Sequence, residues 1–176
     1  MKRHQLIIAL ALIVSAVVLR LLPHPANFAP VTAVALFGGA TLPRRYAILV
    51  PLAAMVISDT FIGWYNLMPV IWGCYILIAL ASRTWLRGHS IGRGIVLVAG
   101  SSVFFFLVTN FAVWVGGGLY PHTMAGLSHC FVMALPFFRN TALSDAVYTV
   151  GLFGLYALAS RADERLFKAR QGQSLV

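Results

Sequence analysis

Apolar runs of about twenty residues, parted by short polar or basic breaks, recur along the whole 176-residue chain. A helix needs roughly 20 such residues to cross a hydrocarbon core of about 30 Å, so the pattern predicts membrane-spanning helices. The breaks place six of them, near residues 5–22, 29–42, 46–62, 69–85, 95–115 and 141–160. Pro23 and Pro25 stop the first, because proline lacks a backbone donor and disfavours helix at the residue before it. Pro30 suits the first turn of the second. With about 14 residues, roughly 20 Å at 1.5 Å per residue, the second helix is too short to cross upright. It is therefore either tilted into a thin region or continued by irregular chain buried in protein. Gly116, Gly117 and Gly118 end the fifth, being too flexible for a helix interior. Residues 119–139 are apolar only from Cys130 to Phe138 and are interrupted by Pro136, which predicts an outer loop with an interfacial or half-inserted helix. The expected fold class is all-α, a polytopic membrane bundle of six helices forming a single domain over residues 1–176.

Composition changes the picture by excluding a soluble domain. The chain is 60% hydrophobic and 10% charged, where soluble domains carry about a quarter charged residues. The net charge of +9 would suggest nucleic acid in a soluble protein, but the basic residues sit between the apolar runs. Lys2 and Arg3 open the chain, Arg44 and Arg45 follow the second run, Arg83, Arg87 and Arg93 the fourth, and Arg161, Arg165, Lys168 and Arg170 the last. This is the positive-inside pattern, and it puts both termini in the cytoplasm with only Arg20 and Arg139 near the outer face. No aromatic residues interleave with this charge as a stacking platform for nucleic acid requires. The start of the chain also reads as a secretory signal, yet the apolar run continues to Leu22 and favours an uncleaved first helix.

Polar groups at membrane depth are the candidate chemistry, since an ionisable side chain there costs on the order of 3 kcal/mol or more. Asp59 falls about a turn from the outer end of the third helix, and Asp145 about a turn into the sixth from the same side. Asn110, Asn27 and Cys74 fall at a similar depth, so five segments bring polar groups to the outer third of the membrane. Thr141, Asp145 and Tyr148 share one face of the sixth helix, and Asn110 and Trp114 one face of the fifth. Phe28, Trp64, Tyr65 and Tyr75 supply aromatic neighbours at the same level. The simpler alternative is that Asp59 and Asp145 cap helices or pair with Arg20 and Arg139. Cys74 is either a packing group or, beside Gly73 and Tyr75, a soft metal ligand. A disulfide from Cys74 to Cys130 ranks below both, because it would occupy the pocket. His122 and His129 are seven apart, about 10 Å along a helix, too far to share one ion. No P-loop, GxSxG, HExxH or GxGxxG is present, so any energy source must be another protein, or absent.

Three runs carry a resemblance. LLPHPANFAPVTAVALFGGA (21–40), VPLAAMVISDTFIG (50–63) and MPVIWGCYILIAL (68–80) resemble the substrate-binding S components of energy-coupling-factor transporters and, more narrowly, the solitary cobalamin transporters of BtuM type. The resemblance implies a six-helix S-component fold in a bacterial inner membrane, whose outer loops and helix ends enclose a vitamin. It matches Cys74 to a cobalt-ligating cysteine that also assists removal of cyanide from the corrinoid. It implies cobalamin as bound substrate and either a shared coupling module or a solitary mode. An S component for another small vitamin or metabolite, a corrinoid-processing membrane enzyme and a ligand-free assembly subunit are the competing readings.

Overall fold

The computed structural model describes residues 3–86 and 91–173; Lys2 and Arg87 of the basic clusters lie outside them. The described residues form six helices: α1 Arg3–Leu21, α2 Val31–Thr41, α3 Arg44–Ile62, α4 Met68–Trp85, α5 Ile91–Gly116 and α6 Met124–Gln173. The chain is all-helical in these residues. Helices α3, α4, α5 and the Met124–Arg161 part of α6 are long and apolar enough to cross a membrane, whereas Gln5–Leu21 and Val31–Thr41 are shorter apolar helices. The chain is a membrane protein by this measure. Leu10, Val14, Ile57, Phe61, Leu107 and Val147 stand exposed on the outer surfaces of the bundle, where lipid rather than water would cover them.

The short α2 is the centre of the bundle. Its residues from Val31 to Gly39 are all buried, and it packs against each of the other five helices. A helix that is apolar all round has no face to offer water, so it is stable only when enclosed. Pro30 stands at its N-cap, and Pro43 at the N-cap of α3 begins the return after a two-residue break. The 11 residues of α2 span only about 16 Å. Irregular chain, residues 22–30, precedes it and is tied to α6 by Asn140 Nδ2 donating to Ala26 O at 2.9 Å and Ser144 Oγ to Ala29 O at 3.4 Å.

The C-terminal half of α2 is clamped to α4. Ser82 Oγ donates to Leu36 O at 2.5 Å, and Arg83 Nη1 to Leu42 O at 2.9 Å, which satisfies a carbonyl at the end of α2. Gly39 permits the approach, because a Cβ there would collide with Ala79 O and stand 2.8 Å from Ser82 Cβ. Around this clamp, Leu36, Met55, Tyr75, Ile78 and Ala79 form one core cluster, and Leu12, Ala16, Val34, Phe37 and Val50 another.

The largest departure from the sequence reading is in the last third. The segment 119–139 is not an outer loop with a separate interfacial helix: α6 begins at Met124 rather than near residue 141 and runs unbroken through Pro136. A proline inside a helix forfeits one hydrogen bond and normally kinks or stops it. Here the packing on both sides of Pro136 outweighs that loss. Phe131 and Phe138 both close on Phe106 of α5, with ring centroids 5.4 and 4.8 Å away.

Replacing Gly39 by Val is expected to destabilise the purified protein by about 1–3 kcal/mol through overpacking. Gly100→Ala, where an added Cβ meets nothing within 4 Å, should stay within about 0.5 kcal/mol of wild type. Thermal unfolding in detergent measures both, and equal effects would contradict the close α2–α4 contact.

Candidate functional site

Because α2 stops short, the outer end of its column is not filled by helix. A cavity of about 350 Å³ lies there, walled by Arg20 of α1, His24, Asn27 and Ala29 of the connecting chain, Thr32 of α2, Tyr65 from the α3–α4 turn, Tyr75 of α4, and Thr141 and Asp145 of α6, among others. A second cavity of about 210 Å³ adjoins it, sharing Asn27, Ile71, Phe105 and Thr141, and adds Phe106, Thr109, Asn110, Phe137 and Phe138. The larger lobe therefore sets charged side chains in a mostly apolar wall, and the smaller one joins four phenylalanines to a few neutral polar groups.

Asn27 adopts φ +61°, a left-handed conformation that asparagine tolerates better than most residues. It turns the chain into the mouth of both lobes, and the bond from Phe28 N to Pro25 O closes the turn beside it. Phe28 itself packs on Tyr148, with centroids 5.7 Å apart. His24 is held by its own neighbourhood, its ring nitrogens 2.8 Å from Pro25 O and 3.0 Å from Arg20 O.

The two membrane carboxylates have different partners. Asp59 is fully buried and meets Arg20 Nη1 at 2.6 Å, while its Oδ2 accepts from Trp72 Nε1 at 2.8 Å. The Oδ1 contact to Arg20 is a charge contact rather than an aligned hydrogen bond, and the same guanidinium nitrogen also donates to Ser58 Oγ. This set of contacts ties α1, α3 and α4 together and presents Arg20 at the cavity. Burial raises the pKa of the nearby Tyr65 phenol, with the Asp59 charge adding to that and Arg20 opposing it. Asp145, 1% exposed, accepts from Ser102 Oγ of α5 at 2.6 Å and has Thr32 beside it. Arg139 is exposed on α6 and does not pair with it, so the alternative of two parallel ion pairs holds for Asp59 alone.

Of the residues singled out from sequence, Asn27, Tyr65, Tyr75 and Asp145 meet at the larger cavity, and Asn110 lies on the smaller one with its amide turned to Phe106 O at 2.7 Å. Phe28, Asp59, Trp64 and Cys74 are not wall residues. Trp64 is 73% exposed at the outer end of α3, as an interfacial anchor would be. Cys74 is 2% exposed, inside the protein rather than against lipid, one residue before Tyr75 and three after Ile71. Cys74 and Cys130 are both free thiols; Cys130 Sγ donates to Asn110 O at 3.4 Å. Among the described residues no group of three or more His, Cys, Asp or Glu side chains could hold a metal ion. Sequence reasoning passed over Thr32 and Ser102, because single hydroxyls inside apolar helices usually bond their own preceding turn.

A family model described as "Family of unknown function (DUF6580)" matches residues 1–168. The chain belongs to the DUF6580 family. No curated protein and no solved structure matches it. The contacts that build the site in this DUF6580 chain span the matched region, from Arg20 to Asp145.

Removing Arg20 alone leaves a buried, uncompensated carboxylate. Arg20→Met is expected to cost about 3–5 kcal/mol, and the double variant Arg20→Met, Asp59→Asn to recover most of that loss. Unfolding midpoints of the single and double variants decide it; a double variant no better than the single would show that the pair is not the source of the stability.

Proposed function

We propose that this chain is the membrane-embedded, substrate-binding component of a vitamin-uptake system, of S-component type, and that its substrate is a corrinoid of cobalamin type. In this reading six segments cross a bacterial inner membrane, counting α2 with residues 22–30 as one crossing, and both termini are cytoplasmic. The asymmetry of the basic residues supports that orientation. The observation that carries the binding role is the cavity at the N-terminal end of α2, to which all six helices and two connections contribute. Such a cavity, largely apolar with a few convergent polar groups, is the usual form of a small-molecule site.

The corrinoid assignment rests on the three resembling runs and on Cys74, a soft donor suited to cobalt. Two geometric conditions follow. At about 100° of turn per residue, Cys74 faces well away from the direction of Tyr75, so ligation requires the outer half of α4 to rotate or shift. The cavity of about 350 Å³ is near the lower limit of the roughly 300–1,000 Å³ that hold drug-sized ligands, and a corrinoid is larger than those. Binding a corrinoid therefore requires the cavity to widen. The same two facts favour a second reading, in which the substrate is a smaller vitamin or metabolite that fits the cavity as it stands and Cys74 only packs. In both readings the chain has no nucleotide-binding motif of its own, so it works with a shared coupling module or alone.

Ligand content of the protein purified from cells fed cyanocobalamin separates them. A red protein with corrinoid absorption supports the first reading, and Cys74→Ala should then bind at least tenfold more weakly with an altered spectrum. Unchanged affinity and spectrum in that variant would remove Cys74 from the site. A colourless protein carrying another molecule by mass spectrometry supports the second. Uptake assays in cells lacking other cobalamin importers complete the set, because corrinoid turnover without uptake would make the chain a processing enzyme.

A further inference from the structure

Asp59 has a partly buried cation beside it, and Asp145 does not. Among the described residues Asp145 pairs with no Lys, Arg or His, although it is 1% exposed and stands in the wall of the larger cavity. What surrounds it is neutral oxygen. Ser102 Oγ lies at 2.6 Å, the Thr32 hydroxyl is its second neighbour, and Ser101, Thr141 and Ser144 are buried close by in sequence on the same two helices, α5 and α6. Thr32 belongs to the first turn of α2, whose N-terminal partial charge of roughly +0.5 offsets only part of a full negative charge. A carboxylate left with that balance at membrane depth is stable when it is neutralised. Carboxylate and hydroxyl oxygens suit a hard cation, and an ionisable residue buried at membrane depth beside a cavity is the usual mark of an ion pathway or proton relay.

We propose that Asp145 is a cation site, taking a proton or a sodium ion, and that uptake through the adjoining cavity is coupled to its occupancy. The proposal rests on the uptake reading for its purpose but not for its chemistry. Coupling of this kind would give a chain without nucleotide-binding motifs an energy source in the gradient of that cation. The other titratable or charged groups facing the same cavity are Arg20, already held by Asp59, His24, Tyr65 and Tyr75; against the carboxylate itself α2 sets Thr32 and α5 sets Ser102.

The test uses the full chain in detergent without any vitamin. Its unfolding midpoint is followed in sodium chloride against choline chloride at equal ionic strength, at pH 6 and pH 8.5. A rise with sodium at both pH values identifies sodium, and a rise on acidification in choline identifies the proton, since a cation bound only by the folded state stabilises it. Either response should vanish in Asp145→Asn and persist in His24→Gln. Ser102→Ala should weaken it, by about tenfold in sodium concentration or about one unit in the pH midpoint, and this variant decides the matter if Asp145→Asn does not fold. A wild type indifferent to both cations, a response retained in Asp145→Asn, or one lost only in His24→Gln overturns the proposal. Uptake that depends on neither cation gradient, in a protein whose stability does respond, refutes the coupling alone, whereas a cation response in a protein that transports nothing refutes the uptake reading alone.

Discussion

The burial of a helix too short for the bilayer is the constraint on which the rest of this structure depends. With 11 residues enclosed by five neighbours, α2 has no polar face, and its ends must be satisfied inside the protein. At the inner end the satisfaction is direct, through Ser82, Arg83 and the absent side chain of Gly39. At the outer end no helix continues, so an irregular segment closes the column. Irregular backbone at membrane depth is tolerated only where protein or a water-filled cavity surrounds it. Residues 22–27 stand exposed while Phe28, Ala29 and Pro30 turn inward, so the irregular segment covers the end of the column from its rim and leaves the cavity beside it.

Electrostatics follows from that arrangement. Two carboxylates in a low-dielectric setting each need compensation, and the fold compensates them differently. The Arg20–Asp59 contact is a closed structural unit that joins three helices and leaves one guanidinium edge at the cavity. Such a pair contributes order more than net stability, because desolvation offsets much of its Coulomb gain. Asp145 is held by hydroxyls and a helix end, which neutralise it incompletely, so its charge remains available to whatever occupies the space beside it.

Much of this was legible in the sequence. Prolines 23, 25 and 30 mark the break between the first two helices, and the short second run implied either a tilted helix or a continuation by irregular chain. The depth rule for ionisable groups picked out Asp59 and Asp145, and Arg20 stood at the right level to be a partner. What could not be read was side-chain direction. Asp59 turns to Arg20 and Trp72 rather than to the cavity, Cys74 turns away from it by one helical position, and Asn110 bonds its own helix. Pro136 misled because a local breaker signal was outweighed by aromatic packing on Phe106, a contact between residues far apart in sequence. Thr32 and Ser102 carried no local signal, since their role arises only where two helices meet Asp145.

The continuous α6 shapes the approach to the site. Its 50 residues extend about 75 Å, and α5 about 39 Å, whereas α3 and α4 each reach about 28 Å. Met124 to Asp145 alone accounts for about 30 Å of α6, so this helix stands far beyond the carboxylate, and Trp114 Nε1 of α5 braces the chain leading into it by donating to Pro121 O at 3.0 Å. One flank of the cavity is thereby a stiff wall rather than a loop.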